Sequence, residues 1–403
     1  MNTAPRATPL AWVNGSDAPE KPSLNIGYMA LTDCASVVVA ATQASPSSTA
    51  LPSTSSAKLL GRAARQAGQR RTGCGALPVW PGVRRAPGIG GVPASAMAVL
   101  MGLNQNAQAI NLSPALQRKG VTNPEALARL VHQHGARLTF AQTFPTGTHA
   151  MWLYYWLASQ GIHPLRDVDS VVVPPAQMAA HIQAGRIDGF CVGEPWAADA
   201  VATGQGFTLA TSQSIWPDHP EKVLACARAF AEQYPNSARA LIKAVLAASR
   251  FIEQSPENRR STAQLLSSSA YLDTPLASIE PRLLGSYHDG LGNHWQDPHA
   301  LRLHDHGRAN LPYLSDGMWF MTQFRRWGLL RDDPDYLGVA RQVQQLALYG
   351  EAAQSLGVAC PEQPMRSSLL IDGSRWDGSD PYGYARSFSL HALGDLPDAR
   401  VGA

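Results

Sequence analysis

The chain reads as an α/β protein built on a doubly wound, mostly parallel sheet. Three observations predict it. Between Arg137 and Gly204, short apolar runs alternate with amphipathic stretches in a β-α-β-α-β-α order. The amphipathic stretches close on Gly161, Gly185 and Gly204, the residue type that ends a helix at least cost. From Lys222 onward the spacing becomes mostly helical.

Taken in order, residues 1–23 form a loose, polar, flexible lead. SLNIGYMALTDCASVVVAATQ opens as an alternating strand, turns at Thr32, Asp33 and Cys34, and enters a helix along its apolar run. VPASAMAVLMGLNQNAQAINLS predicts a buried strand with polar residues, Asn106 and Gln108, at its end. ARLTFAQTF is a strand, PTGT a turn and HAMWLYYWLASQG a helix; VDSVVVP is a buried strand, and PAQMAAHIQAG a helix with Pro in its first turn. IDGFCVG and EPWAADAVATG complete the alternation. Three further helices are expected in ARAFAEQYPNSARALIKAVLAASRFIEQ, ENRRSTAQLLSSSAYL and DGMWFMTQFRRWGLL. Residues 346–403, rich in Gly, Pro and Asp, read as a tail wrapping the surface. Ligands of such sheets sit beyond the carboxyl ends of the strands.

With 403 residues and 45% hydrophobic content, the chain can hold two domains around a large core. No apolar run reaches the roughly 20 residues of a membrane span. The N-terminus shows no apolar stretch behind a basic one, so no secretory signal is read there. Five scattered cysteines without a CxxC pair argue against a disulfide framework or a structural metal, and fit a reducing compartment. The net charge of +3 is local: residues 44–90 hold seven Lys or Arg and no acid. Without them, 26 basic residues face 30 acidic ones, a balance of −4.

Several short stretches could carry chemistry. In TFPTGTHAMW a strand runs into a Gly-containing turn and a helix start, where free backbone N–H groups and the helix dipole suit an anion; Thr148 and His149 add side-chain donors. The plain alternative is that Thr148 caps the helix and His149 faces solvent. CVGEPW places Glu194 at another helix start, where an acid is also ordinary capping electrostatics. SIWPDHPEKVL puts Lys222 behind a rigid Pro-rich turn, where it could neutralise an anion or simply be exposed. Gln108 is a ligand contact or a member of a buried network. HDHG, His304 to Gly307, lacks further ligands at metal-binding spacing and reads as a surface loop. No phosphate loop, hydrolase Ser motif or paired carboxylates emerge.

IGYMALTDCASVVVA, NAQAINLS, FPTGTHAMWLYYWLASQGI, VVVPPAQMAAHIQAGRIDGFCVGEPW and IWPDHPEKV, in this order, resemble the nitrate-binding family of ABC-transporter solute receptors, which includes cytoplasmic nitrate/nitrite sensors that hold an antiterminator protein inactive. The resemblance covers about residues 24–345. It implies a two-lobed clamp like that of type 2 periplasmic binding proteins. Residues 24–112 with 225–345 would form lobe 1, and residues 113–224 lobe 2. It implies nitrate or nitrite as ligand, no enzyme activity, no cofactor and no metal. Carried over by position, Gln108, His149 and Lys222 contact the anion, Gly147 and Thr148 supply donors, and Thr32 and Asp33 line the cleft from the other lobe. Glu194 is counted among the ligand-binding residues as well. A planar, weakly hydrated monoanion wants such donors and one positive charge in a site closed to water. The bicarbonate-binding branch carries an acid at the lysine position, so Lys222 favours nitrate or nitrite. With no export signal read, the expected protein is the cytoplasmic sensor with its antiterminator partner. A periplasmic receptor delivering to an ABC permease is the alternative.

Residues 44–90 break the resemblance, for the family's tryptophan motif and GELDAAH-like motif are absent there. Codons permitted for LLGRAARQAGQRRTGCGA, read one base later, allow SWAALRDKLVSGELDAAH, and those of ASPSSTAL, read one base earlier, allow GFAEQYGL. The window is therefore expected to be out of frame and disordered, which accounts for its missing acids, excess arginine and lost periodicity together. A nucleic-acid arm would explain the charge alone, with few aromatics to stack bases. An enzyme on the same fold, of the thiamine-precursor type, would want a reactive Cys34 or Cys191 in the cleft, where a small buried hydrophobe is the simpler role.

Overall fold

A computed structural model describes residues 17–21, 23–43, 74–78 and 96–388, with the backbone alone for residues 74–78 and for His134. The strands are β1 (Ile26–Gly27), β2 (Cys74–Pro78), β3 (Met97–Gly102), β4 (Gln108–Leu112), β5 (Leu138–Gln142), β6 (Val168–Val172), β7 (Gly189–Gly193), β8 (Phe207–Thr211) and β9 (Lys222–Ala227). They form two sheets, in the orders β1-β2-β9-β3 and β6-β5-β7-β4-β8. In each sheet one strand runs against its neighbours: β9 is antiparallel to β2 and β3, and β4 is antiparallel to β7 and β8. These are the sheets of two lobes, and the two-lobed α/β expectation holds.

The lobe boundaries differ from those expected. MAVLMG and QAINL, read as one strand, are two strands in different sheets. The chain leaves the first sheet after Gly102 and enters the second at Gln108. Asn106 and Ala107 make the crossing with φ of +65° and +72°, left-handed conformations that a continuous strand cannot contain. The return passes through residues 216–221 and ends in β9. This strand stands where helix was expected, because it is buried between β2 and β3. Lobe 1 therefore ends at the start of the crossing and resumes at Lys222, and β4 belongs to lobe 2.

The elements form for local reasons. Asn123 caps the helix Pro124–His134 by accepting from Ala126 N–H, and Gly135, at φ +61°, ends it. The helix Thr148–Ser159 is buried on almost every face, which explains why THAMWLYYWLAS carries no charge. Pro235 splits the long expected helix into Arg228–Gln233 and Pro235–Glu253.

The helix Leu314–Arg326, expected in lobe 1, packs its face onto the helix Thr148–Ser159. Trp319 stacks on Trp152 with centroids 5.0 Å apart, and Trp216 meets Trp319 edge-on at 5.1 Å. The tail is only partly a wrap. The helix Leu346–Ser355 buries Leu348, Tyr349, Ala352 and Ala353 in the lobe 1 core. Trp376 is 1% exposed and donates to the Ser315 carbonyl at 3.0 Å. Apolar side chains at these positions find cover only inside the protein.

Most of residues 44–90 lie outside the described residues. Cys74–Pro78 is the exception and corrects the expectation of disorder for those five residues. Their backbone forms β2, parallel to β1 and antiparallel to β9, from Cys74 opposite Cys226 to Pro78 opposite Lys222. The hydrogen-bonding edge of β9 and a parallel neighbour give the segment its register.

Truncating Trp319 to Ala would empty the centre of this aromatic cluster. Denaturant unfolding is expected to show a loss of roughly 3–5 kcal/mol; a loss below about 1 kcal/mol would mean that the helix Leu314–Arg326 does not belong to the lobe 2 core.

Candidate anion-binding site

The crossing brings one ammonium to the seam between the lobes. Lys222 opens β9, and its backbone is pinned by Asn104: the Lys222 N–H donates to Asn104 Oδ1 at 3.0 Å. Its Nζ lies 2.9 Å from Asp33 Oδ2 and 2.8 Å from Glu221 Oε1, with the three side chains 1%, 8% and 0% exposed. Asp33 comes from the short 3-10 turn Thr32–Cys34 of lobe 1, just before the helix Ala35–Gln43.

Lobe 2 closes the other side. Thr148, the first residue of its helix, donates its hydroxyl to Glu221 Oε1 at 2.6 Å and accepts from Gln108 Nε2 at 3.2 Å. Trp152, one turn on, donates Nε1–H to Glu221 Oε2 at 3.2 Å. His149 is fully buried. Its Nδ1 is 2.5 Å from the Thr143 hydroxyl, and its Nε2 has no hydrogen-bond partner among the described residues. A neutral ring accepting that hydroxyl carries its proton on Nε2 and offers a donor there. A Cβ added to Gly193 would sit 3.5 Å from this Nε2 and 3.5 Å from Leu31, so the glycine keeps a side chain out of the space before the imidazole. The Thr32 hydroxyl is likewise buried without a partner among the described residues.

Burial and charge set the protonation states. Burial pushes the Asp33 carboxyl up to about 6, against the pull of Lys222. Burial also favours the acid form of Glu221, but Lys222, His149 and His219 outweigh it and hold this carboxyl down at about 2. Lys222 loses by desolvation and gains more from its two carboxylates, ending above the usual lysine range. His149 falls to about 3, through burial and then the Lys222 charge, and His219 to about 4 through burial. At neutral pH both imidazoles are therefore uncharged.

The structure unites Thr32, Asp33, Gln108, Thr148, His149 and Lys222 at this seam. It reassigns Gly147 and Glu194, and the Thr148 hydroxyl, expected to supply a donor, spends its one hydrogen on Glu221 Oε1. The Gly147 N–H, expected to face the anion, donates to the Phe144 carbonyl at 2.8 Å, because the turn before the helix uses it. The Glu194 carboxylate is turned away: Oε2 accepts from Ala198 N–H at 2.9 Å, and Oε1 lies 3.0 Å from Arg282 Nε of lobe 1. Glu194 serves closure instead. Its carbonyl accepts from Thr32 N–H at 2.7 Å, and the neighbouring Trp196 Nε1–H reaches the Ala30 carbonyl at 2.9 Å.

The plain alternatives for Thr148 and His149, a cap and a solvent-facing imidazole, do not apply. Glu221, Trp152, Gly193 and His219 were missed. Glu221 stood beside Lys222 in HPEK, but a buried acid has no sequence signature of its own. HDHG is not the surface loop expected: Asp305–Gly307 is a 3-10 turn and His304 is buried, its Nδ1 paired with Asn310 at 2.9 Å, while Asp305 pairs with Arg308 at 2.8 Å. No cluster of potential metal ligands occurs among the described residues. Burial raises the thiols of Cys34 and Cys191 well above the usual range, the opposite of what a nucleophile needs. No described helix is long and apolar enough to cross a membrane.

The model of the NMT1-like family matches residues 17–267. The nitrate/nitrite binding protein NrtA of Synechococcus elongatus is 32% identical over 97% of this chain and 92% of its own length. The crystal structure of the periplasmic nitrate-binding protein NrtA from Synechocystis PCC 6803 superposes with a TM-score of 0.84 at 29% identity, covering 93% of this chain and all of that one. A bicarbonate transport ATP-binding protein, CmpC of Synechococcus elongatus, is 33% identical over 92% of this chain and 56% of its own length.

The lowered histidines bear on acid stability. A folded-state value below the free value of 6.5 means that folding favours the neutral ring. That contribution is complete above pH 6.5 and is lost as pH falls towards 4 for His219 and 3 for His149. In a series of melts, the midpoint should drop as pH falls from 6.5 to 4, and His219→Gln should flatten that limb. An unchanged slope would mean that His219 is not held neutral.

Proposed function

This chain belongs to the NMT1-like family and to its nitrate-binding receptors, and we propose that it binds nitrate or nitrite between its lobes as the substrate-binding component of an ABC importer. One observation carries the reading. A sealed inter-lobe site presents one ammonium, Lys222, together with the uncommitted His149 Nε2 donor. Gln108 holds Thr148, Thr148 holds Glu221 and Glu221 holds the Lys222 ammonium, so the positive charge is fixed before any ligand arrives. Such a site suits a small planar monoanion. Burial keeps the Cys34 and Cys191 thiols protonated, so neither serves as a nucleophile. A binding role rather than catalysis follows, in keeping with relatives that are receptors.

The relatives support the transport reading over the cytoplasmic sensor. Relatives of this chain are named for nitrate/nitrite binding, nitrate import and bicarbonate transport, and one is described as periplasmic. A permease with its ATP-binding subunit is accordingly the proposed partner, in place of an antiterminator. The lysine at the anion position favours nitrate or nitrite over bicarbonate.

The unaltered protein should melt at a higher temperature with nitrate present, and Lys222→Ala should abolish that rise. The variant leaves Asp33 and Glu221 facing each other, so Lys222→Met and Lys222→Arg should be melted alongside it. A nitrate-induced shift that survives in Lys222→Ala would take Lys222 out of the site.

A further inference from the structure

The charge count of this site reaches beyond anion recognition, and the step rests on the anion-receptor reading. Two carboxylates meet one ammonium: Asp33 Oδ2 and Glu221 Oε1 lie 2.9 and 2.8 Å from Lys222 Nζ, and none of the three is more than 8% exposed. The charged and titratable groups facing Asp33 are Lys222 and Glu221, from β9 and its approach, and Cys34 in its own turn. His149, on the lobe 2 helix, faces Lys222 and Glu221. The nearby arginines are engaged elsewhere: Arg282 with Glu194 at 3.0 Å, and Arg366 with Asp316 at 2.7 Å. Among the described residues the pocket thus carries a surplus negative charge before any anion enters. A further anion against the same ammonium puts three negative groups around one positive one, away from water. Groups so placed do not all stay ionised.

The two carboxylates are not equivalent. Glu221 accepts from Lys222 Nζ, the Thr148 hydroxyl and Trp152 Nε1–H, three donors that favour its ionised form. Among the described residues, Asp33 has Lys222 alone as a side-chain partner. We propose that Asp33 takes up a proton from solvent when the anion binds, so that the receptor captures its ligand as anion plus proton. Protonated, Asp33 turns from acceptor to donor. It then releases part of the Lys222 ammonium to the ligand and adds an O–H beside the Thr32 hydroxyl. The carboxyl is already poised for this, since burial holds it at about 6. Glu221, held at about 2, stays ionised and leaves no second proton site, so the pocket favours monoanions over dianions.

The test is titration calorimetry with sodium nitrate, whose anion does not itself titrate in the range used. It runs from about pH 5.5 to about pH 8.5, in buffer pairs of different protonation enthalpy. Close to one proton should be taken up per nitrate at the alkaline end, and Kd should weaken roughly tenfold per pH unit there. Asp33→Asn, which cannot ionise, should bind without proton uptake and with a flat Kd. If that variant does not fold, the buffer dependence of the unaltered protein decides alone. Nitrate binding with no proton uptake and a flat Kd overturns the proposal and leaves the receptor reading standing. Uptake that persists in Asp33→Asn overturns the assignment to Asp33. No heat with nitrate at any pH, nor with nitrite, overturns the receptor reading and the coupling with it.

Discussion

A buried ammonium is the constraint on which this architecture depends. Moving a charge of that size out of water costs several kcal/mol even after relaxation, and only close partners repay it. Lys222 finds one partner next door in sequence, Glu221, and the other in Asp33, which is 189 positions away and reaches the seam only because the 3-10 turn at Thr32–Cys34 ends there. Glu221 in turn is held by Thr148 and Trp152 of the opposite lobe. The ammonium therefore ties together a turn of lobe 1, the first residue of β9 and the first turn of a lobe 2 helix.

The crossing segments make this possible. Asn106 and Ala107 take left-handed conformations where the chain passes between lobes, and their surroundings hold them there. Asn106 N–H donates to the His219 carbonyl at 3.1 Å, and its side chain reaches Asp218 Oδ1 and the Ala300 carbonyl, each at 3.2 Å. Arg366 clamps the return segment from outside, donating to the Asp218 carbonyl at 2.7 Å. From there the aromatic ladder of His219, Trp152 and Trp319 runs into the lobe 2 core, with centroids 4.3 and 5.0 Å apart. Site and core share side chains, so the donors facing the anion inherit the rigidity of the packing behind them.

Closure draws on further contacts beside those of recognition. Thr32 N–H to the Glu194 carbonyl, Trp196 to the Ala30 carbonyl, and the Glu194–Arg282 pair hold the lobes together along the seam. The acid at the strand end, taken as a possible anion contact, belongs to this second set. Chemistry agrees: a carboxylate repels the ligand where a lysine attracts it, and Glu194 is satisfied by an arginine and a helix N–H instead.

The sequence by itself determined the β-α-β alternation of lobe 2 and the glycines that stop its helices, because these are written in local spacing, whereas the anion roles expected of Gln108, Thr148, His149 and Lys222 came from the family resemblance. It could not place the lobe boundary, since MAVLMG and QAINL are equally buried and only the pairing partners reveal two sheets. Nor could it show that the Gly147 N–H is spent on the Phe144 carbonyl, or that Trp319 completes the core of a lobe assembled mostly from residues 108–215. Tertiary structure alone decided which charges meet. Asp33, Glu221 and Lys222 acquire their protonation states from burial and mutual distance, and neither exists until the lobes close on one another.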